Sequence, residues 1–356
     1  MTNDQILSAI SSIDGNQASL RVRGYAIEEL ASKKQFEDVA YLLLEGKLPD
    51  KAEKEDFCEA LRRGLTLDEE SRFAIFSFQK NHPPLVGLRT FLSNLRFWGK
   101  APENSLHAGA WIIGRLAACT AGFIRVSQGS SPLFPKPSES FAAQIFFLTF
   151  GRPPKNPEEK TLDRTLSIHS ENGLNASTFS VRVTASTGAD LISALCSGLA
   201  TLIGPRHGGA SVEVVKMLQE IKDPHQAKIW IQNALARKAK IPGFGHRVFT
   251  KEDPRALFLE EELRSLSRFN NTGSELAILQ ALVLELRKIK DLPRNIDFYA
   301  GPIFLALGFP PDFFPCLFAI GRTPGWIAHY REQVSKGRLI RPRATYVGPS
   351  PREILD

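Results

Sequence analysis

Apolar residues in this chain recur at steps of three and four, and Gly or Pro cuts each such run short. Residues 36–45 place apolar groups on one face and stop at Gly46, with Pro49 just beyond. Leu85, Leu88, Leu92 and Leu95 follow the same steps and end before Gly99. That period is helical, and Gly past the end with Pro beyond it is a helix stop. The same reading predicts helices over 138–149, 188–203, 225–239, 254–267, 273–289 and 312–334, with another running through Val212, Val215, Met217 and Leu218. One short extended signal lies near 17–22. A doubly wound sheet needs several βαβ units, and none is found. The expected fold class is therefore mainly α.

At 356 residues and 43% hydrophobic, the chain has enough apolar material for one large domain and a smaller one. The region 208–304 is helical and polar-faced, and is expected to be a small mobile domain closing over a site, with 1–207 and 305–356 forming the large domain. Cys58, Cys119, Cys196 and Cys316 are widely spaced and form no CxxC, so buried thiols are expected rather than a disulfide framework or a metal site. The start has no basic segment followed by an apolar one. The strongest apolar stretches are short or interrupted by charge, as Arg115 interrupts 108–124, so no bilayer span is expected. A soluble, cytoplasmic protein is the expectation. The formal net charge is +7. It is spread over two loose groups of Lys and Arg with no aromatic-interleaved basic motif, which suits small anions better than nucleic acid.

Three candidate reactive groups sit at Gly- or Pro-marked breaks: His207 in Gly204-Pro205-Arg206-His207-Gly208-Gly209, His246 in Gly243-Phe244-Gly245-His246-Arg247, and Asp297 in Asn295-Ile296-Asp297-Phe298-Tyr299. Two imidazoles and a carboxylate suit proton abstraction from carbon coupled to polarisation of a carbonyl. His207 precedes a helix expected to begin near Ala210; its N-terminus disfavours imidazolium, so the ring is expected neutral. Asp297 lies among apolar neighbours, a setting that raises a carboxyl pKa, although capping of the next helix is the plainer reading. Arg255, at an expected helix start, needs an acidic side chain or an anionic substrate as partner. Arg322 and Arg341 could each hold a carboxylate through two parallel hydrogen bonds, or pair with protein acids. No H-E-x-x-H spacing occurs, nor G-x-S-x-G, nor either Gly-rich nucleotide fingerprint, so no metal, serine nucleophile or dinucleotide is expected.

With these residues in view, the chain resembles the citrate synthase family, including its 2-methylcitrate synthase members. The likeness runs from Ile13-Asp14-Gly15 and Gly46-Lys47-Leu48-Pro49 through Asn175-Ala176-Ser177-Thr178-Phe179 and the three segments above. It ends with Gly325-Trp326-Ile327-Ala328-His329 and Arg338-Leu339-Ile340-Arg341-Pro342. The resemblance implies an almost all-helical, two-domain subunit in a homodimer, with no prosthetic group. It implies condensation of acetyl-CoA with oxaloacetate to give citrate and free CoA. The alternatives it leaves open are propionyl-CoA or a related acyl-CoA and keto-acid pair, or a weakly active or non-catalytic homologue. It further implies that Asp297 removes the acyl α-proton, His207 donates to the thioester carbonyl, and His246 polarises the ketone. Arg255 and Arg322 would grip carboxylates, and Arg341 would reach the partner subunit's site.

Two departures stand out. The family's usual CoA-phosphate base falls at Thr250, which leaves Lys251 as the candidate. The family's second histidine after the position of His169 is Asn172 here, an uncharged residue at an oxaloacetate-binding position.

Overall fold

The computed structural model describes residues 6–77, 82–97, 105–137, 139–270 and 273–353. Among these residues there are sixteen α-helices and one small antiparallel sheet. The sheet joins Ser11–Asp14, Ser19–Val22 and Tyr25–Ala26 in sequence order, with Ile13 opposite Leu20 and Arg21 opposite Ala26. The extended signal near 17–22 thus resolves into a turn followed by the middle strand. Its two neighbours, four and two residues long, carry too little alternation to be read from sequence.

The expected helices form with shifted ends. They span Phe36–Glu45, Pro84–Phe97, Phe141–Phe150, Leu191–Leu202, Ala210–Ile221, Ala227–Ala236, Pro254–Asn270, Gly273–Arg287 and Phe314–Lys336. Caps explain several starts. Ser140 accepts from the Ala143 amide and Asp190 from that of Ser193, which delays both helices relative to the apolar pattern. The other seven helices lie outside the expected ranges, among them Lys51–Leu65, Asn156–His169 and Ala176–Ser186.

The helix Leu106–Ser127 corrects one expectation. It is 22 residues long and apolar enough to cross a membrane by length and composition, so neither shortness nor Arg115 rules that out. Its burial does: 83% of the apolar window is inside the fold. Arg115 is buried with it, donates to Ser71 Oγ at 3.3 Å and lies 4.6 Å over the Trp111 ring. Glycines seat this helix against Lys51–Leu65. A Cβ at Gly64 would fall 2.1 Å from the Trp111 carbonyl oxygen, and one at Gly114 would fall 2.2 Å from that of Leu61.

The helix Phe314–Lys336 packs against Phe36–Glu45, Leu106–Ser127, Asn156–His169, Ala176–Ser186 and Leu191–Leu202, and buries Trp326 completely. Ala210–Ile221 and Pro254–Asn270 both pack on Asp297–Ala306. The first of these contacts is close, because a Cβ at Gly301 would sit 2.4 Å from the Ser211 carbonyl oxygen. From 338 to 353 the chain is mostly exposed and without regular structure.

Candidate active site

His246 and Asp297 are brought together by a short backbone zipper. Phe244 and Arg294 form an isolated antiparallel bridge. The Gly245 amide donates to the Pro293 carbonyl at 2.7 Å, and the Asn295 amide to that of Gly243 at 2.9 Å. Gly243 is required here: φ is +81°, and a Cβ would meet the Phe298 ring at 2.5 Å. Asn295 ties the two segments further. Its Nδ2 donates to the Gly245 carbonyl at 3.1 Å, and its Oδ1 accepts the Asp297 amide, also at 3.1 Å.

The His246 ring is held in one tautomer. The amides of Val248 and Phe249 both donate to Nδ1 at 3.0 Å, so Nδ1 is the unprotonated nitrogen and the neutral ring presents Nε2–H as its donor. Burial, with the Arg255 guanidinium adding to it, lowers the pKa. A neutral ring offering one N–H is an electrophile for a ketone oxygen.

Asp297 is the first residue of its helix, and Ile296 occupies the cap position without a side-chain cap. The carboxylate therefore does not cap the helix. Burial pushes its pKa up to about 6, against the opposing pull of Arg255 and Arg322. A carboxylate poised there is a base at neutral pH with real affinity for a proton.

His207 lies in the turn before Ala210–Ile221. A Cβ at the adjoining Gly208 would fall 2.2 Å from the Leu202 carbonyl oxygen, so the turn closes onto the preceding helix only with glycine there. Burial, with Arg322 adding to it, pushes the imidazole down to about 4. The ring is neutral, as the sequence suggests, with burial and the Arg322 guanidinium both favouring that form. Its Nε2 lies 2.8 Å from Ser177 Oγ. That oxygen also accepts from Trp326 Nε1 at 3.3 Å and lies 2.8 Å from Asn175 Oδ1. The one hydroxyl proton of Ser177 can go to either acceptor. When it goes to His207 Nε2, the ring proton sits on Nδ1 and is free to donate to a ligand.

Two buried guanidiniums link the three groups: Arg255 acts on His246 and Asp297, and Arg322 on His207 and Asp297. Arg255 is fixed by Asp253, with Nε to Oδ1 at 3.0 Å and Nη2 to Oδ2 at 2.8 Å. The acidic partner required at that helix start is thus two residues upstream. Arg322 differs. Its Nε donates to the His169 carbonyl at 2.6 Å, its guanidinium stands 4.8 Å over the Phe318 ring, and no carboxylate among the described residues forms an ion pair with it. Burial lowers its pKa to about 10. A buried cation with no carboxylate in ion-pair contact, on which Glu171 and Asp297 act only at longer range, is expensive to hold and marks the place of an anionic ligand. Asn172 stands three residues beyond His169, and its Oδ1 is buried with no hydrogen-bond partner. Among the described residues, no group of three or more His, Cys, Asp or Glu could hold a metal ion.

The sequence matches the family described as citrate synthase, C-terminal domain, over residues 3–343. This chain belongs to the citrate synthase family. It is 37% identical over 353 residues to a citrate synthase of Saccharolobus solfataricus, covering 96% of this chain and 93% of that protein. It is 34% identical over 357 residues to 2-methylcitrate synthase 2 of Corynebacterium glutamicum, covering 98% and 93%. Its fold matches that of the Thermoplasma acidophilum citrate synthase, solved as a ternary complex with carboxymethyl coenzyme A and oxaloacetate, with TM-score 0.93, 30% identity, and coverage of 100% of this chain and 97% of that one.

Within this citrate synthase-family chain, two of the sequence-derived candidates stand apart from the cluster. Arg341 is exposed and lines a cavity of about 470 Å³ with Arg182, Gln333 and Arg338. Lys251 is exposed beside Glu252, Arg287 and Asp291. Three residues that sequence reasoning gave no role prove central: Ser177, Asn295 and Asp253. Each lies in a motif already picked out, but what it touches depends on chain crossings that local sequence does not show.

Proposed function

We propose that this chain is an acyltransferase of the citrate synthase type that condenses acetyl-CoA with oxaloacetate, releasing citrate and CoA. One observation carries the reading: a neutral imidazole and a carboxylate of raised pKa share the field of a buried Arg322 that forms no ion pair with any described carboxylate, and a second imidazole locked as an Nε2–H donor shares Arg255 with that carboxylate.

The roles follow from the chemistry. Arg322 and the remaining Nη1 of Arg255 take the carboxylates of the dianionic keto acid, and Asn172 offers an uncharged contact beside them. His246 donates from Nε2 to the ketone oxygen and makes its carbon electrophilic. Asp297 removes the α-proton of the thioester, and His207 donates from Nδ1 to the thioester oxygen, where charge develops as the enol or enolate forms. The carbanion equivalent then attacks the polarised ketone. Water hydrolyses the resulting thioester.

We further propose that residues 208–304 move as a smaller body over the remainder, so that keto-acid binding completes the acyl-CoA site and shields the thioester from early hydrolysis. A homodimer would let Arg341, which is exposed in its own chain, reach the site of the partner subunit. Lys251 is the candidate contact for CoA phosphates. Propionyl-CoA is the second reading, supported by the similarity to 2-methylcitrate synthases; one methylene changes discrimination by only roughly 1–3 kcal/mol.

The test is a matrix of acetyl-CoA and propionyl-CoA against several 2-keto acids, with free CoA and product mass measured. Citrate as the dominant product is expected. Preference for another pair would replace the substrate assignment, and absence of CoA release from every pair would overturn the catalytic one.

A further inference from the structure

The loop that carries His246 is gripped from behind by the tip of the N-terminal hairpin, far away in sequence. Gly15, in the turn 15–18, lies against the peptide joining Val248 to Phe249. A Cβ at Gly15 would fall 2.0 Å from the Val248 carbonyl oxygen, 2.7 Å from its carbon and 3.3 Å from the Phe249 nitrogen. The φ of Gly15 is not in the left-handed region, so space and not backbone conformation requires glycine there. Next to this contact, the Thr250 amide donates to the Gly15 carbonyl at 3.2 Å. The Thr250 hydroxyl reaches the same carbonyl at 3.3 Å and Asn16 Oδ1 at 3.2 Å. The turn itself is braced, because Asp14 Oδ1 accepts the amides of Asn16 at 2.9 Å and Gln17 at 3.0 Å.

The pinned peptide is the same one that aims at the imidazole. In a planar trans peptide the C=O and N–H point in opposite directions. On one side, the Val248 carbonyl meets Gly15; on the other, the Phe249 N–H donates to His246 Nδ1 at 3.0 Å. Any rotation of that plane away from Gly15 also turns the N–H away from the ring. With only the Val248 amide left as a donor, Nδ1 is freer to take the ring proton, and the donor form on Nε2 is enforced less strongly.

We infer that Gly15 and Thr250 are positioning residues for the reaction: the hairpin tip clamps the 248–249 peptide and so keeps His246 in its Nε2–H donor form. The inference rests on the proposed role of His246 for its kinetic consequence, but the clamp itself is a statement about the ring. Gly15→Ala lowers kcat by roughly 10- to 100-fold, the scale of a misplaced reacting group. Thr250→Val, which removes only the hydroxyl contact, lowers it by roughly 3- to 10-fold. Thr250→Ser restores the wild-type rate.

A double-mutant cycle separates positioning from general destabilisation. In a His246→Ala background, Gly15→Ala and Thr250→Val should have no further effect on the residual rate; the full fold-loss recurring there would overturn the proposal. Imidazole ¹⁵N NMR on the ligand-free protein, with the His246 signals assigned by their loss in His246→Ala, reads the ring without any turnover. Wild type shows an unprotonated Nδ1 and a protonated Nε2, and Gly15→Ala shifts the ring toward a tautomer mixture. An unchanged ring in both variants would also overturn it. Should Gly15→Ala fail to fold, Thr250→Val carries both measurements. If wild type releases no CoA from any substrate pair, the catalytic reading fails while the NMR result still decides the clamp.

Discussion

Replacing Arg322 by Gln should abolish tight keto-acid binding without destabilising the empty protein, a combination opposite to that of an ordinary buried arginine. The drop in pKa from 12.5 to about 10 corresponds to roughly 3 kcal/mol held against the protonated guanidinium in the ligand-free fold. A base with a depressed folded-state pKa carries that penalty in full at neutral pH and loses it only as the pH rises through about 10. Gln removes the penalty and keeps a donor able to face the His169 carbonyl. It gives up the charge assistance of that bond and the stacking on Phe318, together roughly 2–3 kcal/mol. The opposing effects nearly cancel, so the ligand-free Tm should stay within a few degrees of wild type.

Binding has no such compensation. Loss of a charge-assisted contact of roughly 1.5–3 kcal/mol weakens oxaloacetate by roughly 10- to 150-fold. At a ligand concentration of 100 times the wild-type Kd, the stabilisation of wild type is about 2.7 kcal/mol, and that of the variant falls to about 0.3–1.4 kcal/mol. Calorimetric titration with oxaloacetate and thermal melts with and without it measure both quantities. A variant that binds within twofold of wild type, or whose ligand-free form melts ten degrees lower, would show that the guanidinium serves the fold and not the ligand.

Asp297→Asn should lower CoA release by roughly 10²- to 10⁴-fold while leaving oxaloacetate binding in place. In wild type, kcat/KM for the acyl-CoA should fall about tenfold per pH unit below the Asp297 pKa of about 6, because only the ionised carboxylate can accept the proton; a profile flat from pH 7 to 5 would remove it as the base. Ser177→Ala leaves His207 Nε2 without its partner and should reduce kcat by roughly 5- to 150-fold with little change in oxaloacetate affinity; an unaltered kcat would mean that the hydroxyl does not set the ring's proton. Asn172→His should lower the KM for oxaloacetate, and a rise or no change would show that asparagine is no handicap at this site. Mixing Arg341→Ala subunits with Asp297→Ala subunits should recover some activity in verified heterodimers, and none would appear if each site were built from one chain.

Helical character, the residues at the breaks and the family were all legible in the chain, because periodicity, punctuation and contiguous motifs are local properties. Helices such as Asn156–His169 were harder to see. Buried on several sides, it mixes Thr161, Asp163, Thr165, Ser167 and His169 into its inner face, so the apolar period that betrays a surface helix is absent. The long apolar helix shows the same limit from the other direction. Length and hydropathy cannot distinguish a core helix from a spanning one, since both bury every face.

For the site, sequence supplied the identities of His207, His246, Asp297, Arg255 and Arg322 and the reason such groups belong together. Their states were decided elsewhere. Burial and Arg322 favour the neutral His207 ring, two amides chose the His246 tautomer, and Asp253 took one arginine while the other has no described carboxylate within ion-pair distance. Desolvation and hydrogen-bond geometry come from neighbours that meet only when the chain closes on itself. Residue order therefore fixes which groups are available, and the tertiary fold fixes which of them are charged, which hold a proton, and where each one points.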